Sequence, residues 1–260
     1  MADTTPNPLA PGSLEGVRVL VTGSSRGVGA DTVRYFAEAG AKVVVNYRNK
    51  AARAEKLVAK IREAGGTAIA VGADLTDPES LAALFDTIRA EYGGLDLLVL
   101  NASGGMESGM GEDYALRLNR DAQVAALRGA LELMPAGARV VFVTSHQAHF
   151  IETTPTMPEY EPVARSKRAG EDALVALVPE LDERGIGFVV VSGDMIEGTI
   201  TATLLDRLNP GAIEARREEA GRLYSVSEFA AEIAKAAVED VPADHLVLLG
   251  DVSGFTPLPN

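Results

Sequence analysis

A tyrosine stands seven residues before a lysine in the segment MPEYEPVARSK, Met157 to Lys167. Seven residues is about two helical turns, so an unbroken helix would put Tyr160, Val163 and Lys167 on one face. A phenol beside an ammonium can move a proton, but the pairing works best four residues apart, and Val163 fills most of that slot. Pro162 suits the first turn of a helix, which leaves Tyr160 just outside it. A tyrosine there either swings into a cleft or packs on a lid. His146 and His149, in the segment SHQAHF, follow Ser145 directly and are two of the three histidines in the chain. Histidine exchanges protons near neutral pH, so His146 is a second candidate acid, unless the segment is only a polar loop. The H-x-x-H spacing with Glu152 nearby lacks a third strong ligand at helical spacing, so no metal is expected.

A second constellation lies near the start. The segment TGSSRGVGA, Thr22 to Ala30, follows an apolar run and carries glycines at 23, 27 and 29. Glycine permits positive φ in a tight turn and lets backbone approach a pyrophosphate, and the following helix start offers free N–H groups to the anion. Ser25, Arg26, Gly27, Val28 and Gly29 are therefore read, with Gly23, as a dinucleotide phosphate loop. An NAD site usually has an acidic residue at the end of strand two. Here that strand ends Asn46-Tyr47-Arg48, with no carboxylate. Arg26 and Arg48 suit a 2′-phosphate, because a guanidinium grips phosphate through a fork of donors, so NADP(H) is expected over NAD(H).

These groups need a frame. Strand-like runs fall at 17–22, 41–47, 67–72, 95–101, 138–144, 186–192 and 245–250. Several are apolar on both faces, as strands covered on both sides are. Helical patterns lie between them. One closes on Gly40 and another on Gly65 and Gly66, where glycine marks a helix stop. In TDPES, Asp77 reads as an N-cap with Pro78 at the first helical position. This alternation predicts an α/β fold, a Rossmann-like doubly wound parallel sheet of about seven strands with helices on both faces. Residues 1–13 read as a loose Pro-rich tail, and 14–260 as one domain with substrate loops at 146–161 and 194–222. In the stretch 104–111, Met106 and Met110 suggest an adaptable loop, either a pocket wall or exposed surface.

The 260 residues, 47% hydrophobic, suffice for one sizeable core. A net charge of −13 argues against nucleic acid and anionic lipid as partners. There is no cysteine, no apolar run near membrane-spanning length and no signal-like start, which fits a cytoplasmic location.

The spacing T-G-x-x-x-G-x-G resembles that of the short-chain dehydrogenase/reductase family, and further segments follow in order. GADL (72–75) resembles the stretch whose aspartate, here Asp74 beside Leu75, contacts adenine. LNASG resembles the family's NNAG motif, with Leu100 replacing its first asparagine, Asn101 and Ala102 matching, and Ser103 replacing its glycine. Asn119 resembles the active-site asparagine and Ser145 the catalytic serine. Ser192-Gly193 resembles the P-G pair after strand six, with Thr199 as the threonine that follows; GRLYSVSEFAAEIA resembles the usual late helix. The likeness spans roughly residues 14–250. It departs at Y-x-x-x-K: the segment around Lys167 aligns, but the tyrosine position is Val163.

The resemblance implies hydride transfer between a nicotinamide and a carbonyl or alcohol substrate. Serine orients the oxygen, asparagine anchors a water relay, and lysine holds the nicotinamide ribose. With Val163 in the acid's place, Tyr160, a loop histidine or a hydroxyl of the substrate must supply the proton. A non-catalytic NADP(H) sensor or scaffold of the same fold is the alternative. A homodimer or homotetramer is expected from the family.

Overall fold

Each of the seven apolar runs becomes a strand of one parallel sheet. The computed structural model describes residues 5–106, 109, 111 and 113–255. The strands are β1 (Arg18–Val21), β2 (Lys42–Tyr47), β3 (Thr67–Gly72), β4 (Leu97–Leu100), β5 (Arg139–Ser145), β6 (Gly187–Gly193) and β7 (Leu246–Leu248), in the order β3-β2-β1-β4-β5-β6-β7. β1, β4, β5 and β6 are buried along most of their length, because helices cover both faces.

One face is packed by α1 (Gly27–Glu38), α2 (Ala51–Glu63) and α11 (Val226–Ala236), around Val19, Val21, Phe36, Val43 and Phe229. The other is packed by α3 (Pro78–Tyr92), α5 (Ala122–Leu131) and α8 (Val178–Glu183), around Leu20, Leu84, Leu98, Leu127 and Phe188. Asp77 caps α3 through its side chain, with Pro78 in the first turn. Ser225 and Glu228 form a reciprocal capping box on α11. Strand order reverses beside β1 and β4, and ligands bind such sheets outside the carboxyl ends at that switch point.

Three regions differ from the sequence expectation. Residues 5–13 are anchored rather than loose: Tyr35 donates its hydroxyl to the Thr5 carbonyl at 2.8 Å, Asn7 Nδ2 donates to the Tyr35 carbonyl, and Leu9 is buried in the core. Residues 146–161 begin as a short helix, α6 (His146–His149), packed on α7 (Glu161–Val175). Within 194–222 lie α9 (Ile200–Leu208) and α10 (Ala212–Ala220). α9 is capped by Thr199, whose Oγ1 accepts from Ala202 N. These helices are short, four residues in α6 and nine each in α9 and α10, too short for periodicity to declare them. α4 (Tyr114–Leu116) leads into α5 through a π turn at Arg117–Asp121. Met110 lies outside the described residues.

Candidate active site

A cleft of about 620 Å³ opens along the carboxyl ends of the strands. Its floor at one end is the turn from β1 into α1. Gly23 and Gly27 take positive φ, 62° and 56°. A methyl on Gly27 would project into open space, whereas one on Gly29 would lie 2.8 Å from the Ser24 Cα. Bare backbone thus faces the cleft at 27 and packs tightly at 29. Arg26 precedes α1 without a side-chain cap, so first-turn N–H groups face the cleft.

Asn46 is buried and holds this turn: its Oδ1 accepts from Gly23 N at 3.0 Å. Asn101 folds back likewise, donating from Nδ2 to the Thr22 carbonyl at 2.9 Å. Both also line the cleft, as do Ser25, Val28 and Tyr47. Asp74, Leu75, Ala102, Ser103 and Thr199, all expected cofactor residues, reach the wall as well. Asp74 is oriented by Thr76, which donates to its Oδ1 through both N–H and hydroxyl.

Gly193 does not reach the wall. It ends β6, and a methyl there would lie 2.5 Å from the Phe229 ring. Phe229 occupies the wall instead. Arg26 and Arg48 both line this end, and Arg48 also donates to the Tyr114 hydroxyl. Lys50 and Arg53 add two further cations. Lys50 stands just before α2 and Arg53 in its first turn, beyond the strand end at which the sequence reading stopped. A helix start with unfilled donors and four cations suits the phosphates of a dinucleotide carrying an extra phosphate.

At the other end Ser145, Tyr160 and Lys167 line the same space. The Ser145 Oγ and Tyr160 hydroxyl are 3.3 Å apart. Ser145 is delivered by the last residue of β5, and Tyr160 is the residue immediately before α7. Its amide donates to the Met157 carbonyl, and its carbonyl accepts from Ala164 N, fixing the turn that aims the ring. Among the described residues Lys167 makes no ion pair, although it is largely buried, so its ammonium remains available to the cleft.

Val163 does not face the cleft. It packs in an apolar cluster with Ala148, Ile151, Tyr160 and Met195, and a methyl on Gly105 would lie 3.1 Å from its Cγ2. Lys167 shares its helix face but has the length to pass beyond this cover; valine does not.

His146 is also displaced from the site. It is fully buried, its Nε2 donates to the Leu249 carbonyl at 3.0 Å, and its Nδ1 lies 2.8 Å from Ser192 Oγ. The carbonyl can only accept, so Nε2 carries the proton and the serine hydroxyl donates to Nδ1. Burial pushes the imidazole below its ordinary pKa. A neutral, doubly bonded ring between Phe150 and Phe255 is a core residue, not a proton donor to the cleft. The side chain after a strand end can turn either way, and here the next turn buries it.

Asn119 sits in the π turn and is buried off the wall. Its Nδ2 donates to the Gly104 carbonyl at 2.8 Å and to Ser166 Oγ at 2.9 Å. Its Oδ1 accepts from Gly104 N at 3.2 Å. It ties the loop after β4 to the residue beside Lys167. Gln147 and Asp194 line the cleft as well; both fall in the segments read as substrate loops, 146–161 and 194–222, although no motif singles out either residue. Among the described residues no group of acidic and histidine side chains is placed to hold a metal. No helix among them is long and apolar enough to cross a membrane.

A family model described as short chain dehydrogenase matches residues 17–208. The chain belongs to the short-chain dehydrogenase family. The short chain dehydrogenase/reductase nsrJ of Aspergillus novofumigatus (strain IBT 16806) is 33% identical over 200 residues, covering 75% of this chain and 73% of that protein. A short chain dehydrogenase from Burkholderia cenocepacia J2315, solved in complex with NADP, superposes with a TM-score of 0.75 at 27% identity, covering 91% of this chain and 97% of that one. The angucycline C-6 ketoreductase LanV, solved with bound NADP, gives 0.74 at 27% identity, covering 92% and 96%.

Proposed function

We propose that this protein is an NADP(H)-dependent ketoreductase in which Tyr160 takes the proton-donor role of the tyrosine missing at position 163. The observation that carries the reading is the 3.3 Å approach of the Tyr160 hydroxyl to Ser145 Oγ on the wall of the cleft. A phenol reaches the serine from one turn upstream, so no acid is needed at 163. The NADP-bound structures of similar chains support the cofactor assignment, as do Arg26, Arg48, Lys50 and Arg53 at the far end of the cleft.

When bound, the nicotinamide supplies the hydride. The α1 N-terminus and the glycine turn would hold its pyrophosphate, the four cations the extra phosphate, and Lys167 the ribose near the reacting end. The chain's own chemistry falls to two hydroxyls. Ser145 donates a hydrogen bond to the substrate oxygen as negative charge develops there, and Tyr160 delivers the proton. Asn119 acts as a positioning residue, tying Gly104 after β4 to Ser166 beside Lys167.

Turnover of a ketone panel with NADPH, measured on wild type and on Tyr160→Phe and Ser145→Ala, tests the reading. Loss of the acid is expected to lower kcat by about 10²–10⁴ in Tyr160→Phe with KM little changed. Full activity in Tyr160→Phe would give the proton to the substrate instead. Tight NADPH binding with no turnover of any ketone would leave a cofactor-binding sensor. NADPH is expected to bind more tightly than NADH, by a margin that Arg48→Ala narrows.

A further inference from the structure

Gln147 is the second residue of α6, two positions after Ser145, and lines the same cleft. Its Nε2 donates to Asp194 Oδ1 at 2.7 Å. Asp194 is almost fully buried and is itself held firmly. Its Oδ1 accepts from Met195 N at 2.7 Å, and Arg216 approaches both oxygens, with Nη2 2.8 Å from Oδ2. Arg216 stacks over the Phe255 ring at 4.5 Å. A carboxylate accepts but does not donate. The Gln147 amide therefore cannot turn over: its nitrogen must face Asp194, and its oxygen must face away. Among the described residues nothing donates to that oxygen. Met157, Met195 and Leu205, which belong to one apolar cluster, line the same cleft.

We infer that Gln147 Oε1 is a fixed acceptor for a hydroxyl on the substrate, and that the enzyme selects ketones with an apolar body and an O–H group of their own. The inference rests on the ketoreductase reading for the word ketone, while the subsite itself is a matter of binding. A site built to pair a substrate hydroxyl leaves its own polar group unpaired when that hydroxyl is absent, and so rejects the analogue. Asp194 and Arg216 are positioning residues, because they act through the orientation of the amide.

Isothermal titration of the NADP⁺-loaded protein with ring-hydroxylated 1-tetralones, each paired with its methyl ether, tests this without turnover. The ether keeps the body and the oxygen but loses the donor. At least one hydroxyl isomer should bind about two- to tenfold more tightly than its ether, the range set by one neutral hydrogen bond. In Gln147→Leu and Gln147→Met that ratio should fall to about one, and Gln147→Asn should recover part of it. The ratio is internal to each variant, so a reduced folded fraction does not disturb it. No discrimination by wild type, discrimination surviving in both apolar variants, or no ketone binding at all would overturn the inference. Discrimination without turnover under NADPH would remove the reductase reading and leave the hydroxyl subsite standing. Turnover without discrimination would do the reverse.

Discussion

Gly170 lies on the face of α7 that crosses the π turn. A methyl group there would sit 1.9 Å from the Asn119 carbonyl oxygen, where real methyl contacts essentially never fall below 3.0 Å. The two helices must therefore part by about 1 Å for Gly170→Ala to be accommodated, and both partners are backbone, which yields least. Overpacking of this kind costs about 1–3 kcal/mol. A methyl 1.9 Å from backbone belongs in the upper part of that range and alanine returns about 1 kcal/mol of helix propensity, so a net loss of about 1–2 kcal/mol is expected. Gly129→Ala is the control. Its methyl would meet the Phe85 ring at 2.4 Å, and a side chain can shift where a carbonyl cannot. Its net cost should be the smaller. Urea unfolding at constant m-value gives both numbers. Gly170→Ala should also lower kcat, because Asn119 joins Gly104 to Ser166 beside Lys167. A loss below about 0.5 kcal/mol, or a larger loss in Gly129→Ala, would refute the close-approach argument.

Burial holds the His146 imidazole below its ordinary pKa, so as pH falls the unfolded chain takes up the proton first. The associated stability is complete above about pH 6.5 and declines as pH drops toward the folded value; His146→Gln should flatten that slope in urea titrations at a series of pH values. Asp96 behaves in the same sense at lower pH. Its hydrogen bond from Arg18 holds the carboxyl below its usual value, so stability present above about pH 4 is lost on further acidification. Asp96→Asn should remove that acid-side slope and leave the neutral-pH baseline lower. Val163→Tyr should not restore a proton donor, because position 163 is packed beneath the loop at Gly105; a drop in Tm with no gain in kcat is expected, and a gain would show that the position reaches the cleft. Ser225→Ala removes one half of the α11 capping box and should cost about 1 kcal/mol in thermal or urea unfolding.

The sequence by itself determined the strands and the glycine turn that borders the cleft. Those features are local: apolar runs of strand length, Asp77 before Pro78, and glycines at 23, 27 and 29 where backbone must turn and stay bare. Tertiary structure alone decided which polar side chains face the reacting end. Ser145 and His146 are neighbours in the chain, yet one lines the cleft and the other is sealed between Ser192 and Leu249, because the chain turns from strand to helix between them. Val163 and Tyr160 exchange the places that helical spacing suggests, since the short side chain is covered by the loop after β4 while the longer one reaches Ser145 from the residue preceding α7. Gln147 takes its orientation from Asp194, 47 residues away, and Asp194 is fixed in turn by Arg216 on α10. No periodicity carries such information. A hydrogen-bonding direction in a cleft is set by the charges that distant elements bring to it.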